Sequence, residues 1–240
     1  MIRLLVSEDI FRAFPDALIG VAAFSGVDNA GESAEVTAAL RAEEDRAAAA
    51  LAGASIPDHP RIAPWRAAYR AFGAKPKDHP SSIENLVRRV SKGGRLPHVN
   101  KLVDLYNAVS LRHLVPVGGE DLAAVQGDVE LAFAGESEPA VRLLGEPPEM
   151  ARPPKPGEVI YRDRAGALCR RWNWKEADRT KLTESTRDGF LVVEALPPVM
   201  RAELVAALAD LAEMVRSHCG GVVRTAILDA THLETPLEGA

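Results

Sequence analysis

"LPHVNKLVDLYNAVSLRHLVPVGG", residues 96–119, sets the first constraint on the fold. At helical spacing Val99, Leu102, Val103, Tyr106 and Val109 fall on one stripe, which predicts a core-facing helix over about 98–113 followed by a short strand. The other side carries Asn100, Asp104 and Asn107, with Ser110 nearby. Short polar side chains compete for backbone hydrogen bonds and are poor helix formers, so three of them on one face need a reason. Two reasons fit the residues: they hold a ligand, or they cap loops and tie neighbouring backbone.

Working outward, residues 2–6 and "ALIGVAAF" (17–24) predict strands, the second nearly continuous in apolar residues and so buried on both faces. An Ala-rich helix is predicted from about Glu32, stopped by Gly53. "WRAAYRAFG" is a short helix with Trp65, Tyr69 and Phe72 on one core-facing side. Ser81 and Glu84 form an S-x-x-E capping box that starts the next helix, and Gly93-Gly94 ends it. "LVPVGGEDLAAV" and "GDVELAFAGESE" predict short strands, "EVIYRDRAGALCRRWNW" a hairpin turning at "RDRAG", and "DGFLVVEAL" a further strand. Five prolines in 145–157 predict a surface loop or hinge. Pro198 to His218 is an amphipathic helix with Leu204, Val205, Leu208, Leu211 and Val215 inward; "VVRTAIL" closes as a strand, and the last ten residues are expected to fray. Without strict βαβ alternation, the expected class is α+β, layered sheets packed with helices, as one domain over 1–240.

The totals exclude several function classes. Two cysteines without a Cys-x-x-Cys pair predict no disulfide framework and no thiolate metal site. No window approaches 18 apolar residues, so a soluble cytoplasmic chain with no membrane partner is expected. The net charge is −5, yet Arg61 to Lys101 carries ten basic residues against Asp78 and Glu84, a local balance of +8 that leaves −13 elsewhere. That asymmetry points either to a polyanionic partner at one place or to an arginine-rich helix surface. Phosphate-binding, dinucleotide, zinc-protease and nucleophile-elbow motifs are missing, and the six histidines show no ligand spacing. No metal and no cofactor are expected. Dense polar stretches remain: the opening helix, "AGESE" ending at Glu138, and "CRRWNWKEADRTKLTESTRDG" from Cys169 to Gly189, where Trp172 and Trp174 flank Asn173 ahead of Glu176. The last is either an exposed excursion or the wall of a site. Its tryptophans either stack a base or sugar or pack in the core.

Taken together, residues 73–122 ("GAKPKDHPSSIENLVRRVSKGG…"), "GDVELAFAGESEPAVRLLG" and "PGEVIYRDRAGALCRRWNWKEADRTKLTEST" resemble the B-three/B-four tRNA-editing domain of the phenylalanyl-tRNA synthetase beta subunit, in free-standing form. The likeness covers about 60–195, with an N-terminal strand and helix extension (1–55) and a C-terminal helix and strand (198–228) around it. No aminoacylation motif is present, so the resemblance does not imply a ligase. It implies layered sheets, an aminoacyl-tRNA acceptor end as partner, and hydrolysis of a mischarged amino acid ester in trans. Catalytic residues implied are Asn100, Asn107 and Glu136. Substrate contacts implied are Asp104, Ser110, Trp172, Asn173, Trp174 and Glu176, and tRNA contacts Lys75, Lys77, Arg88, Arg89, Lys92 and Arg95. The family's pocket reads a tyrosine hydroxyl with acidic and histidine side chains, but carries a glycine-rich stretch where this chain has "RRWNWKEAD", so tyrosine specificity does not transfer. A non-catalytic tRNA-binding module and an amino acid or small-molecule binding protein are the alternative functions.

Overall fold

In a computed structural model that describes residues 1–238, the chain forms two sheets, and the continuous apolar run at 17–24 is a central strand of one of them. The chain opens with β1 (Arg3–Val6), α1 (Glu8–Ala13), β2 (Leu18–Ser25) and α2 (Ala34–Ala50). Helices α3 (Ala63–Ala71), α4 (Ser82–Val90) and α5 (Lys101–His113) follow, then β3 (Val117–Asp121) and β4 (Val129–Phe133). The hairpin β5 (Val159–Asp163) and β6 (Gly166–Arg170) leads to β7 (Lys175–Glu176), β8 (Gly189–Ala195), α6 (Arg201–Cys219), β9 (Val222–Leu228) and β10 (Glu234–Pro236). The architecture is mixed α+β.

One sheet runs β10-β1-β4-β5-β6-β7, with β1 and β4 parallel and the other pairs antiparallel; the second runs β3-β8-β2-β9, antiparallel throughout. Helix α6 packs on β2, β8 and β9, while α5 packs between α2 and α6. β3 lies so close to β8 that a Cβ at Gly119 would sit 2.3 Å from Leu191 Cδ2 and 2.6 Å from the Phe190 carbonyl oxygen, so only glycine passes there.

Several expectations shift. Helix α5 begins at Lys101, so Asn100 is its N-cap: the side chain accepts from the Val103 N–H at 3.0 Å and donates to the Leu182 carbonyl at 3.1 Å. Asn29 caps the same turn, accepting from the Leu102 N–H and donating to the Thr183 carbonyl. Val99 therefore precedes the helix and is exposed, as is Val205 on α6. Ser81 accepts from the Glu84 N–H, but the Glu84 carboxylate does not complete the capping box; it turns inward to Arg66 and Arg88, both at 2.6 Å. The expected frayed tail instead contributes β10 to the edge of β1, and its last two residues lie outside the described ones. The 145–157 loop is largely exposed and includes a single turn of 3-10 helix at Pro148–Met150.

Replacing Asn100 with Ala removes both the cap and the tie to Leu182. The expected loss is about 1–2 kcal/mol, read as a lower denaturant midpoint with an unchanged slope.

Candidate functional site

Between the sheets, under α4 and α5, lies a cavity of about 210 Å³. Its walls come from β3 and β8 of one sheet, from Tyr161 and Cys169 of the other, and from the turn 172–176. The pleat of β8 puts Phe190, Val192 and Glu194 on the cavity side. Outside it runs an open groove of about 690 Å³ that shares Asn85, Leu86, Tyr106, Asn107, Leu144 and Glu176 with the cavity and adds Arg88, Arg89, Lys92 and Lys181. Groove and cavity are thus continuous, basic outside and largely apolar inside.

The turn after β6 builds the inner wall. Arg170 makes a two-pronged pair with Glu158, 2.8 Å on each side, and Glu158 also accepts from the Arg171 N–H at 3.2 Å. Arg171 and Trp172 then take left-handed backbone conformations (φ 50° and 65°), which few non-glycine residues adopt. The outcome is a fully buried Trp172 whose ring centroid lies 4.9 Å from Phe14 and 5.1 Å from Trp65. Trp172 packs in the core and stacks no external ring. Beside it, Asn173 accepts from the Tyr69 hydroxyl at 2.8 Å and donates to Glu194 Oε2 at 2.7 Å. Glu194 Oε1 accepts from the Tyr161 hydroxyl at 2.5 Å. Trp174 forms part of the wall, under the Arg171 guanidinium at 4.3 Å and edge-on to His79 at 4.5 Å.

Electrostatically the cavity is unusual. Burial raises the Glu194 carboxyl to about 7, with hydrogen bonds from Tyr161 and Asn173 offsetting part of the rise. Burial also raises Glu176 to about 7, partly offset by the Gly119 N–H. Glu120 is pushed well above the ordinary carboxyl range by burial and then by the neighbouring Glu176. Three carboxyls therefore line one small space and hold protons at pH values where surface glutamates do not.

The structure divides the sequence-predicted residues. Asn107, Trp172, Asn173, Trp174 and Glu176 line the cavity, and Arg88, Arg89 and Lys92 line the groove. Asn85 and Asn107 stand at the junction with no side-chain hydrogen bond among the described residues. Asn100 is withdrawn by capping. Asp104 is buried, its carboxylate bound to His98 at 2.7 Å and accepting from the Val99 N–H. Ser110 donates to the Val115 carbonyl at 2.6 Å and ties down the end of α5. Glu136 is exposed in the turn after β4, away from the cavity. Arg95 is held by Glu44 and Asp45. Lys75 borders a separate depression with His79 and Arg171, and Lys77 is an exposed residue of the same loop, outside the groove.

Asn100, Asn107, Glu136 and Asn173 therefore do not share one cavity, and Asn100, Asp104, Ser110 and Glu136 leave the site. Sequence reasoning missed Asn85, Glu120, Tyr161 and Glu194. For Glu194 a signal existed: a lone acid inside the apolar run "FLVVEAL". Among the described residues no cluster of three or more potential metal ligands is present, and no helix is long and apolar enough to cross a membrane.

The B3/4 domain family matches residues 64–220, more than half of the chain. The chain belongs to the B3/4 domain family. Every cavity-lining residue named here lies within the matched span and none in the flanking segments. Among solved structures, an N-terminal fragment of the phenylalanyl-tRNA synthetase beta-subunit from Pyrococcus horikoshii aligns over 92% of this chain and 50% of its own, at 11% identity and a TM-score of 0.47. The chain thus spans about half the length of that fragment, and a likeness at this level carries no information on activity. No curated protein matches the chain significantly.

A raised carboxyl pKa has a definite sign in stability. The folded state keeps a proton that the unfolded chain releases between about 4.5 and 7, so this contribution is fully present below pH 4.5 and is lost as pH climbs to 7. Gln at 194 mimics the protonated acid, its NH₂ facing the Tyr161 oxygen and its carbonyl accepting from Asn173. Glu194→Gln is expected to melt above the wild type at pH 8, by up to about 3 kcal/mol of stability, with the gap closing toward pH 5. Melting curves across that range check it; a gap independent of pH contradicts it.

Proposed function

We propose that this B3/4 protein hydrolyses the ester of an aminoacyl-tRNA in trans. The observation that carries the reading is the continuity of basic groove and amino-acid-sized cavity, with two unspent amides and one carboxyl of raised pKa at their junction. A tRNA acceptor end needs this sequence of environments. Its phosphates suit Arg89 and Lys92, beside Arg88 and Lys181, which are held by Glu84 and Asp178; its ester suits the junction, and its amino acid the cavity. Family membership and the sequence resemblance to the editing domain point the same way.

An aminoacyl ester is activated, so positioning and oxyanion stabilisation suffice without a covalent nucleophile. In this reading Glu176 takes a proton from a water whose oxygen attacks the carbonyl carbon. A pKa of about 7 suits a general base working at neutral pH. Asn85 and Asn107 donate N–H groups to the carbonyl oxygen as it becomes anionic. Collapse breaks the bond to the ribose oxygen, which leaves with the proton returned by Glu176. Trp174 and Lys175, the latter anchored to Glu146 at 3.1 Å, border the mouth.

A panel of mischarged tRNAs tests the proposal. Hydrolysis of at least one ester is expected, rising with pH through about 7. Glu176→Gln should flatten that rise and cut the rate about 10²–10⁴-fold, and Asn107→Ala about 10²-fold. Arg89 and Lys92 are exposed and make no ion pair among the described residues. Changing both to Gln should weaken tRNA binding and reduce its salt dependence by about two counterions. Failure to hydrolyse any member of the panel contradicts the enzymatic reading; salt-sensitive binding without hydrolysis would identify a tRNA-binding module instead.

A further inference from the structure

One half-buried arginine stands apart from the rest. Every other buried or half-buried arginine among the described residues sits within 3.0 Å of a carboxylate. Arg171 makes no ion pair there, and its side chain donates no hydrogen bond; its Nη1 is shielded from water as well. Its one close side-chain partner is the face of Trp174, 4.3 Å away. Burial pulls its pKa below the usual arginine value, as expected of a cation that has lost water without gaining a counter-ion. His79 stands edge-on to the same ring, and its Nδ1 is also buried without a partner. Polar groups in this condition are costly unless a ligand completes them.

Both residues line a depression of about 240 Å³ that shares no lining residue with the cavity or the groove. Three separate stretches of chain build it. The loop after α3 supplies Lys75 and His79, joined in a turn where the Asp78 and His79 N–H groups donate to the Lys75 carbonyl at 3.0 and 2.9 Å. The turn before β5 supplies Lys155, closed by the Glu158 N–H on the Lys155 carbonyl at 3.0 Å. The turn after β6 supplies Arg171. Lys75 and Lys155 are exposed and make no ion pair among the described residues. The acceptors nearby are mostly spent. Glu158 is occupied by Arg170 and the Arg171 N–H, and the carbonyls of Ala68, Tyr69 and Arg70 at the end of α3 accept from Phe72, Ala74 and Gly73. Asp78, exposed on the rim, is the one uncommitted carboxylate of the lining, which leaves three free cations against it. The volume is roughly that of eight water molecules, room for a small oxyanion and part of its hydration.

We propose that this depression is a phosphate-binding site, in which Arg171 and His79 supply directional N–H groups and Lys75 and Lys155 supply charge. A tetrahedral oxyanion has acceptor oxygens for donors that arrive from three directions, and a guanidinium fork matches two of them at once. A planar carboxylate would leave part of that donor set unspent. The phosphoryl group belongs either to the backbone of a bound RNA or to a free phosphate; the recognition chemistry is the same. Trp174 packs under Arg171 and also lines the cavity, so one aromatic ring stands between the two sites. The site does not depend on ester hydrolysis and is testable without it.

The experiment is calorimetric titration of the whole chain with inorganic phosphate and with acetate, at constant ionic strength in chloride. Phosphate is expected to saturate one site below about 20 mM and to bind at least about tenfold more tightly than acetate. Changing Lys75 and Lys155 together to Gln should weaken phosphate about tenfold or more. Both side chains are exposed, so that variant keeps its fold even if Arg171→Gln, which should abolish binding, disturbs the strained turn. No saturable phosphate binding, equal binding of acetate, or an affinity untouched by the double lysine change overturns the proposal. A second arm, with uncharged tRNA, identifies the source of the phosphate. Weaker tRNA binding and a smaller salt dependence in the double lysine variant assign the site to the RNA backbone; unchanged tRNA binding assigns it to free phosphate. The outcome is separate from that of the deacylation panel, because neither titration involves an aminoacyl ester.

Discussion

One carboxyl joins the two sheets at their polar centre. Glu194 projects from β8 of one sheet and accepts from Tyr161 on β5 of the other, while Asn173 links the same carboxyl to Tyr69 on α3. The chain Tyr69–Asn173–Glu194–Tyr161 sets the distance between the layers and the position of the turn after β6. The turn is strained at Arg171 and Trp172, and the buried Arg170–Glu158 pair holds it from behind. If Glu194 were apolar, two buried polar groups, the Tyr161 hydroxyl and the Asn173 amide, would lose a partner.

That arrangement divides the molecule between stability and function. Five buried carboxylates bound by arginines fix helix to helix and loop to strand: Glu84 pins α4 to α3 through Arg66, and Asp163 anchors Arg179 in the loop that borders the groove. The carboxyls around the cavity do the opposite at neutral pH, because each resists giving up its proton. Stability is reduced where function is proposed, which agrees with the general finding that local rules are broken at sites and obeyed around them.

The layers were legible in the sequence because their signals are local. The apolar run at 17–24 is β2, the "RDRAG" turn joins β5 to β6, and paired glycines follow α4 and α6. The site was less legible because its residues meet only through tertiary contact. Asn100, Asp104 and Asn107 look equivalent at helical spacing, yet the helix begins one residue after Asn100, which becomes a cap. Asp104 turns back to the preceding loop, and Asn107 alone reaches the cavity. Glu136 resembles a site residue in its Gly-Glu context, but the turn leaves it in solvent. Glu120 and Glu194 sit in strands whose apolar neighbours dominate the pattern. Short elements were also silent: α1, β7 and β10 are too brief to show periodicity.

The carboxyl of Glu194, buried between the sheets, carries no countercharge of its own among the described residues. Site-resolved carbon-13 NMR titration of the Glu194 side-chain carboxyl in the folded, ligand-free protein tests it most directly. An apparent midpoint near 7 is expected. A midpoint at or below the ordinary glutamate value of about 4.3 would mean that a positive partner already neutralises Glu194, and would contradict it.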